Sequence, residues 1–143
     1  MSSKGKTAII SGGCGGLGRS IAEEFLAQGA NIVICDINSQ LIRDFNEQVA
    51  SKAQDRTLVL ELNITDESQI DKLFAETEQR FGCPDYLINS AGMMDKFDPV
   101  GDLDRRWWDR VIALNLTAPM SMSNRAVNAM LKAEKKGAIV NIA

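Results

Sequence analysis

The sequence contains no histidine, and this absence excludes several kinds of functional site. A metal centre built on imidazole ligands and a mechanism with histidine as general base both require that residue. The three cysteines, Cys14, Cys35 and Cys83, are odd in number and form no C-x-x-C pair. They therefore predict neither a disulfide framework nor a metal site, and they fit a reducing compartment.

Long apolar runs and clusters of basic residues are also absent. No run approaches the ~18 apolar residues of a membrane span, and the amino terminus is short and polar, so we expect a cytoplasmic protein without a membrane partner. The net charge is -3, and the one small basic cluster, Lys132, Lys135 and Lys136, falls where a helix is predicted to end. Cations are favoured there by the helix dipole, so we expect no nucleic-acid partner.

Five short apolar runs alternate with longer amphipathic stretches. The runs cover residues 7–10, 31–35, 57–60, 86–88 and 138–142. Their continuous hydrophobicity predicts strands that are covered on both faces, as in a parallel sheet. The alternation predicts an α/β fold, a Rossmann-like doubly wound parallel sheet with five strands, as one domain over residues 1–143. The run 138–142 would then form an apolar open edge, so the sheet is expected to be incomplete on its carboxyl-terminal side.

Local signals mark the ends of the predicted helices. Asp66 with Gln69 three residues later predicts a capping box at the start of the third helix. Gly29 and Gly82 follow the first and third helices, where a left-handed cap is favoured. Pro119 lies inside the long stretch 105–135 and predicts either a kink or two helical pieces.

A glycine-rich segment over residues 11–18 lies between the first predicted strand and the first predicted helix. Glycines at this position allow a tight turn and let backbone N–H groups approach a diphosphate. Two spacings overlap in the segment. Gly13, Gly15 and Gly18 match G-x-G-x-x-G, whereas Gly12, Gly16 and Gly18 match G-x-x-x-G-x-G.

An acidic residue, Asp36, ends the second strand 18 residues after Gly18. A carboxylate there accepts hydrogen bonds from the adenosine ribose hydroxyls and repels a 2′-phosphate, which favours NAD over NADP. The next residues, 37–39, offer no cation for such a phosphate. Alternatively, Asp36 forms a helix-entry turn with Asn38.

Together these residues resemble the short-chain dehydrogenases/reductases, and the resemblance extends along essentially the whole chain. The segment 11–18 is similar to that family's T-G-x-x-x-G-[IL]-G turn, with Ser11 in place of threonine. The resemblance favours Gly12, Gly16 and Gly18 as the pattern glycines. It implies NAD as cofactor and a small alcohol or ketone as substrate.

Further motifs carry the same resemblance. Asn63-Ile64 is similar to the family's D-[VI] pair at the adenine, with an amide in place of the acid, and residues 89–92 (N-S-A-G) resemble N-N-A-G. Trp108 and Asn115 resemble W-x(6)-N, whose Asn supports a water relay toward the catalytic lysine, and residues 137–142 resemble the fifth strand. The expected cofactor-binding residues are Ser11, Gly12, Cys14, Gly16, Leu17, Gly18, Asp36, Ile37, Asn63, Ile64, Asn89, Ala91 and Gly92. Trp107 and Trp108 are predicted to be packing residues.

The family's catalytic Ser, Tyr and Lys lie beyond the fifth strand, where this sequence stops. The only tyrosine, Tyr86, lies in a predicted strand and is followed four residues later by Ser90 rather than lysine. Asn115 is therefore the only expected active-site member of the family set in this chain. We expect a segment of a longer NAD-dependent oxidoreductase, inactive alone and part of a homo-oligomer (dimer or tetramer).

Two other functions fit parts of the pattern. A shortened Rossmann protein could hold NAD without catalysis, as a sensor or interaction module, and the missing catalytic set favours this function. A methyltransferase-like domain also grips a ribose through an acid after the second strand. The motifs at residues 89–92 and at Asn115 argue against a methyltransferase.

Overall fold

The computed structural model of the chain describes residues 3–143, in which five parallel strands form one sheet. The strands are β1 (Thr7–Ser11), β2 (Asn31–Asp36), β3 (Thr57–Glu61), β4 (Tyr86–Asn89) and β5 (Ala138–Asn141). Their order in the sheet is β3-β2-β1-β4-β5. The chain thus moves outward from β1 in one direction and then in the other, which confirms the predicted doubly wound topology.

Helices connect the strands and cover both faces of the sheet. They are α1 (Gly16–Ala27), α2 (Ser39–Gln48), α3 (Glu67–Phe81), α4 (Arg105–Ile112) and α5 (Ala118–Lys132). Helices α1 and α2 pack over side chains such as Ile10 and Ile34, with Phe45 of α2 fully buried. Helices α3 and α5 pack over the opposite face, around Ile9 and Leu87.

The edge strand β5 is less buried than the central strands of the sheet. All five residues of β1 are buried, and so are the four central residues of β2. In β5, by contrast, Ala138 and Val140 are exposed. The prediction of strands covered on both faces therefore holds for the central strands but is wrong for β5, because β5 is an edge strand without helix cover on the side of Val140.

The start of α3 differs in one detail from the predicted capping box. Asp66 is the N-cap, and its side chain accepts a hydrogen bond from the Ser68 amide at 2.9 Å. The Gln69 side chain, however, accepts from the amide of Asn63 at 2.7 Å and not from that of Asp66. The Gln69 side chain, which a capping box would place on the Asp66 amide, thus holds the chain just after β3.

Pro119 is accommodated by a π-helical turn. Residues Ala113–Thr117 form this turn between α4 and α5, and the Ala118 amide donates to the Ala113 carbonyl five residues earlier. A proline has no N–H and its ring clashes with the carbonyl one α-helical turn before it. Widening the helix just ahead of Pro119 relieves that clash, so the long helical stretch is two α-helical pieces joined without a break. A π-helical turn of this kind is frequent at functional sites.

A buried carboxylate links three strands at the opposite end of the sheet. Asp85 accepts a hydrogen bond from the Thr7 amide at 2.9 Å, and Lys6 and Lys135 lie 3.1 and 3.0 Å from its two oxygens. The Ala138 amide donates to the Asp85 carbonyl at 2.9 Å. These contacts join the starts of β1, β4 and β5. Within residues 3–143, no helix is both long and apolar enough to cross a lipid bilayer.

Candidate functional site

An elongated cleft of about 820 Å³ runs across the carboxyl ends of the strands. Its walls come from the segments that follow β1, β2, β3 and β4, and from one face of α4 and the π-helical turn. The cleft lies over β1 and its neighbours, where the strand order changes direction. In doubly wound sheets this crevice is the place where ligands bind.

The turn between β1 and α1 opens directly onto this cleft. Gly16 has a φ of +52°, and a Cβ added to it meets no protein atom within 4 Å. Gly15 is the N-cap of α1 and contributes no side-chain hydrogen bond to the helix. The backbone N–H groups of the first helical turn are therefore free to bind an anion in the cleft, where the helix dipole favours negative charge.

Close contacts at Gly12 and Gly18 determine the path of this turn. A Cβ on Gly18 would lie 2.3 Å from the Gly12 carbonyl oxygen, and a Cβ on Gly12 would lie 2.9 Å from the Ala91 Cα. Gly18 therefore lets α1 pack against the end of β1. Gly12 brings the turn against the segment that follows β4. These contacts, with the positive φ of Gly16, explain why glycine is needed at the positions of the G-x-x-x-G-x-G spacing.

Asp36 lies at the cleft and also takes part in the turn into α2. Its Oδ1 accepts from the Asn38 amide at 3.0 Å, and its Oδ2 accepts from the Cys14 amide at 3.3 Å. The helix-entry turn considered from the sequence is therefore present, together with a position on the cleft wall. Ile37, two-thirds exposed, lines the same part of the cleft.

Three of the residues expected at the cofactor, Ser11, Cys14 and Asn89, have buried side chains that do not line the cleft. The Ser11 hydroxyl accepts hydrogen bonds from the Ser90 and Ala91 amides at 3.1 and 3.2 Å, and so orders the segment after β4. Cys14 packs in the core between the sheet and α1. Burial and the nearby Asp36 carboxylate raise the pKa of its thiol to about 12, so the thiol stays protonated.

Asn63 and Ile64 lie on the far wall of the cleft. The Asn63 Oδ1 accepts from the amide and the hydroxyl of Thr65 at 3.0 and 2.8 Å. Its oxygen is thus engaged within the loop, and the Nδ2 group is the part of the amide with hydrogen bonds left to donate. Ile64 is buried beneath it and supports this wall.

The comparisons with known proteins agree with this geometry. Residues 6–143 match the family model for the short chain dehydrogenases. The chain belongs to the short-chain dehydrogenase family. It is 46% identical over 140 residues to the short chain dehydrogenase/reductase dpchG of Colletotrichum higginsianum, covering 97% of this chain and 52% of that protein. It is 33% identical over 139 residues to the sorbitol dehydrogenase of Cereibacter sphaeroides, again covering 97% of this chain and 52% of that protein.

A solved structure gives the same result. The chain superposes on a short-chain dehydrogenase/reductase (glucose/ribitol dehydrogenase) from Brucella melitensis with a TM-score of 0.82 and 29% identity. The match covers 90% of this chain and 55% of that structure. The chain therefore spans about half the length of the curated relatives it matches.

Asn89 is a structural residue at the end of β4. Its Nδ2 donates to the Asn141 Oδ1 at 2.7 Å and to the Ser123 hydroxyl at 3.4 Å, so it ties β4 to β5 and to α5. Its Oδ1 is buried and has no partner among the described residues. Asn89 borders a second cavity of about 760 Å³, which adjoins the main cleft at residues 90–93.

Asn115, the expected active-site member, lies in the π-helical turn and borders the second cavity. Its side chain accepts from the Met93 amide at 2.9 Å and donates to the Met93 carbonyl at 2.8 Å. Both polar atoms of the side chain are therefore used to hold the backbone after Gly92.

The structure brings together most of the expected binding residues along one cleft. Those that line it are Gly12, Gly16, Leu17, Gly18, Asp36, Ile37, Asn63, Ile64, Ala91 and Gly92. The sequence did not reveal that Trp107 and Arg110 of α4, with Leu114 of the π-helical turn, also line the cleft. Their spacing of three and four residues is the signal of a shared helix face. The sequence had assigned Trp107 to packing.

Proposed function

We propose that this chain is the NAD-binding part of a dehydrogenase that transfers hydride between NAD(H) and an alcohol or carbonyl substrate. The observation that carries the proposal is the cleft in which the open amino terminus of α1 and the carboxylate of Asp36 lie along one path. The two groups match the charged diphosphate and the ribose of a dinucleotide.

The residues of the turn fit a diphosphate. The first-turn amides of α1 are free, and Gly16 leaves space where a larger residue would project a side chain. Backbone amides at a helix amino terminus bind phosphate through hydrogen bonds and the helix dipole together. We propose Gly16, Leu17 and Gly18 as the diphosphate contacts, with Gly12 and Ala91 shaping the floor.

The charge at Asp36 supports NAD over NADP. Each Asp36 oxygen accepts one backbone hydrogen bond and keeps a further lone pair for a ribose hydroxyl. A 2′-phosphate carries roughly two negative charges and would be repelled by this carboxylate. Arg19, the basic residue nearest in sequence to the turn, is engaged by Glu23 and Gln48 at 2.9 Å each, away from the cleft.

When bound, NAD supplies the hydride acceptor of the reaction, and the residues of this chain hold it in place. Asn115 and Ser11 order the segment over residues 90–93, against which the cofactor would lie. Tyr86, the only tyrosine, packs against Phe25 with the ring centroids 5.4 Å apart, and it does not line the cleft. We infer that the proton-transfer residues belong to a further part of the protein, and that these residues alone bind NAD without turnover.

We also propose that the whole protein forms a homo-oligomer in the cytoplasm and acts on a small alcohol or ketone. The π-helical turn and α5 carry an exposed apolar row, which supports self-association. Its members are Leu116, Met120, Val127 and Leu131. Such a row is the kind of surface that a second copy covers. The molar mass from light scattering tests the oligomer. A monomer at all concentrations would contradict it.

The cofactor is tested by calorimetric titration of the chain with NAD, NADP and S-adenosylmethionine. We expect saturable binding of NAD, at least tenfold weaker binding of NADP, and none of S-adenosylmethionine. Binding of S-adenosylmethionine without NAD would instead support a methyltransferase-like domain. If the whole protein binds NAD but no alcohol serves as a substrate for its reduction, the result would support the alternative of a non-catalytic NAD-binding sensor or interaction module.

A further inference from the structure

A second acidic residue, Glu61, lies beside Asp36 at the carboxyl ends of β2 and β3. The two residues are partners in the parallel register of these strands, and the Leu62 amide donates to the Asp36 carbonyl at 3.0 Å. Side chains alternate along a strand, and Ile34 and Val59, each two residues earlier, lie in or against the cluster under α1 and α2. The side chains of Asp36 and Glu61 therefore lie on that same face, on strands about 4.8 Å apart.

Glu61 is held at the start of α2, and its charge has no cation beside it. Its Oε1 accepts a hydrogen bond from the hydroxyl of Ser39, the first residue of α2, at 2.9 Å. Within residues 3–143, no Lys or Arg forms an ion pair with Glu61. Arg43, the first cation of α2, donates instead to the Gln40 side chain at 2.7 Å. The charge of Glu61 therefore adds to that of Asp36 where α2 begins.

The start of α2 is the part of the chain that an extra phosphate on the ribose would meet, because Asp36, the proposed ribose contact, leads directly into it. Free amides at a helix amino terminus bind phosphate. Here the Asn38 amide donates to Asp36 at 3.0 Å. The Gln40 and Leu41 amides donate to the Asn38 side chain at 3.0 and 3.1 Å. The neighbouring hydroxyl is held by Glu61, so the chain's own acceptors occupy donors that would otherwise bind a phosphate.

We propose that Glu61 is a specificity-determining residue, which together with Asp36 excludes a phosphate from the 2′ position of the adenosine ribose. The inference rests on the proposed NAD-binding function and extends it to a residue that does not itself line the cleft. A phosphate carries roughly two negative charges, which the Glu61 carboxylate repels. The hydroxyls of an unphosphorylated ribose are neutral, so the same carboxylate costs NAD little.

The charge of Glu61 is tested by E61Q, which keeps the shape of the side chain and an acceptor for Ser39. We expect NADP to bind E61Q about threefold more tightly, and E61K more tightly still, while NAD affinity changes less than twofold. E78Q is the matched control, because Glu78 is exposed and borders a separate surface pocket with Cys83 and Pro84. It removes the same single charge and should change neither affinity. Calorimetric titration, with competition against NAD where NADP binds weakly, gives both affinities.

Two further measurements separate this role from a merely structural one. S39A removes the hydrogen bond to Glu61 but keeps its charge, so NADP should still be excluded. Added salt screens repulsion between exposed charges, so the preference of the unchanged chain for NAD over NADP should decrease from low to high ionic strength. This decrease should be smaller in E61Q. Far-UV circular dichroism and thermal melting check that each variant is folded.

The outcomes separate the inference from the function on which it rests. If D36N changes the NAD-to-NADP ratio but E61Q and E61K do not, the role of Glu61 is overturned while NAD binding at Asp36 stands. An equal change of the ratio in E61Q and E78Q, or in E61Q and S39A, would also overturn it, because net charge or the hydrogen bond alone would then be responsible. If the unchanged chain does not bind NAD, both proposals fail together.

Discussion

The Asn115 side chain and the Met93 backbone form a reciprocal pair of hydrogen bonds, 2.9 and 2.8 Å long. The Asn115 carboxamide thus makes the two backbone hydrogen bonds with Met93 that a neighbouring strand would make in a sheet. This pair joins the π-helical turn to the segment after β4, which borders both cavities. The segment is therefore positioned by a residue that is 22 positions away in the sequence.

We expect N115A to loosen this segment without unfolding the domain. Both hydrogen bonds are exposed, so the free energy of unfolding should fall by only about 1 kcal/mol. Amide hydrogen exchange at Met93 should become much faster, and NAD affinity should fall. N128A is the control, because Asn128 makes one exposed 3.3 Å bond within the same helix. Unchanged protection of Met93 in N115A would contradict the positioning role.

The glycine positions separate cofactor binding from folding. G16A places a methyl group in open space at a φ of +52°, so we expect a loss of about 1–2 kcal/mol of stability and clearly weaker NAD binding. G18A places the methyl group 2.3 Å from the Gly12 carbonyl oxygen, so we expect a larger loss of stability. Thermal melting and NAD titration of both variants provide the comparison. A folded G16A chain with normal NAD affinity would remove Gly16 from the site.

Asp36 is expected to control the choice between NAD and NADP. D36N is nearly the same shape, keeps one acceptor oxygen and removes the negative charge. NADP affinity should therefore rise and NAD affinity fall modestly. D36A also removes the acceptors for the Cys14 and Asn38 amides, so it should lose stability as well. Calorimetric titrations with both cofactors measure the selectivity; an unchanged NAD-to-NADP ratio in D36N means that the ribose contact lies elsewhere.

Asp85 makes the stability of the domain depend on pH in the acid range. Burial by itself raises the pKa of Asp85, but hydrogen bonds from the Thr7 amide, Lys135 and Lys6 outweigh it and hold the pKa below its ordinary value. The stability that Asp85 contributes is therefore fully present above the unfolded pKa of about 3.9 and is lost as pH falls through the lower folded value.

The corresponding variant is D85N, which should lose about 2 kcal/mol of unfolding free energy at pH 7. The difference from the unchanged chain should shrink as the pH falls below the ordinary carboxyl range, where Asp85 becomes protonated. D55N, at an exposed aspartate, serves as the control and should change stability little. Urea denaturation at a series of pH values measures the effect. A difference that is the same at pH 7 and at low pH would show that the charge of Asp85 is not responsible.

Features that depend on neighbouring residues in the chain could be predicted from the sequence. The runs that became β1 to β5, the glycine turn and the N-cap at Asp66 are all short-range signals. Burial of the central strands follows from their continuous apolar runs, whereas the exposure of Ala138 and Val140 in β5 does not, because the run 138–142 is equally continuous. The long stretch with Pro119 was predicted as either a kinked helix or two helical pieces, and the structure has two α-helical pieces joined by a π-helical turn.

Features that depend on how distant segments meet could not be predicted. Ser11 was expected at the cofactor because it lies in the glycine-rich segment, but its hydroxyl turns inward to the amides of Ser90 and Ala91. The Gln69 side chain was expected at the Asp66 amide and instead bonds to Asn63, which lies outside the helix. In both cases the side chain satisfies a backbone group that only the folded chain brings within reach.

The sequence by itself determined the order and kind of the elements and the presence of an open glycine-rich turn, because glycine spacing and apolar periodicity act over a few residues. The tertiary structure alone decided which side chains meet in the cleft. Trp107 and Trp108 are adjacent and chemically identical, yet only Trp107 lines the cleft. The physical reason is the rotation of α4 about its axis, which follows from its continuity through the π-helical turn with α5, the helix that packs against β4 and α3.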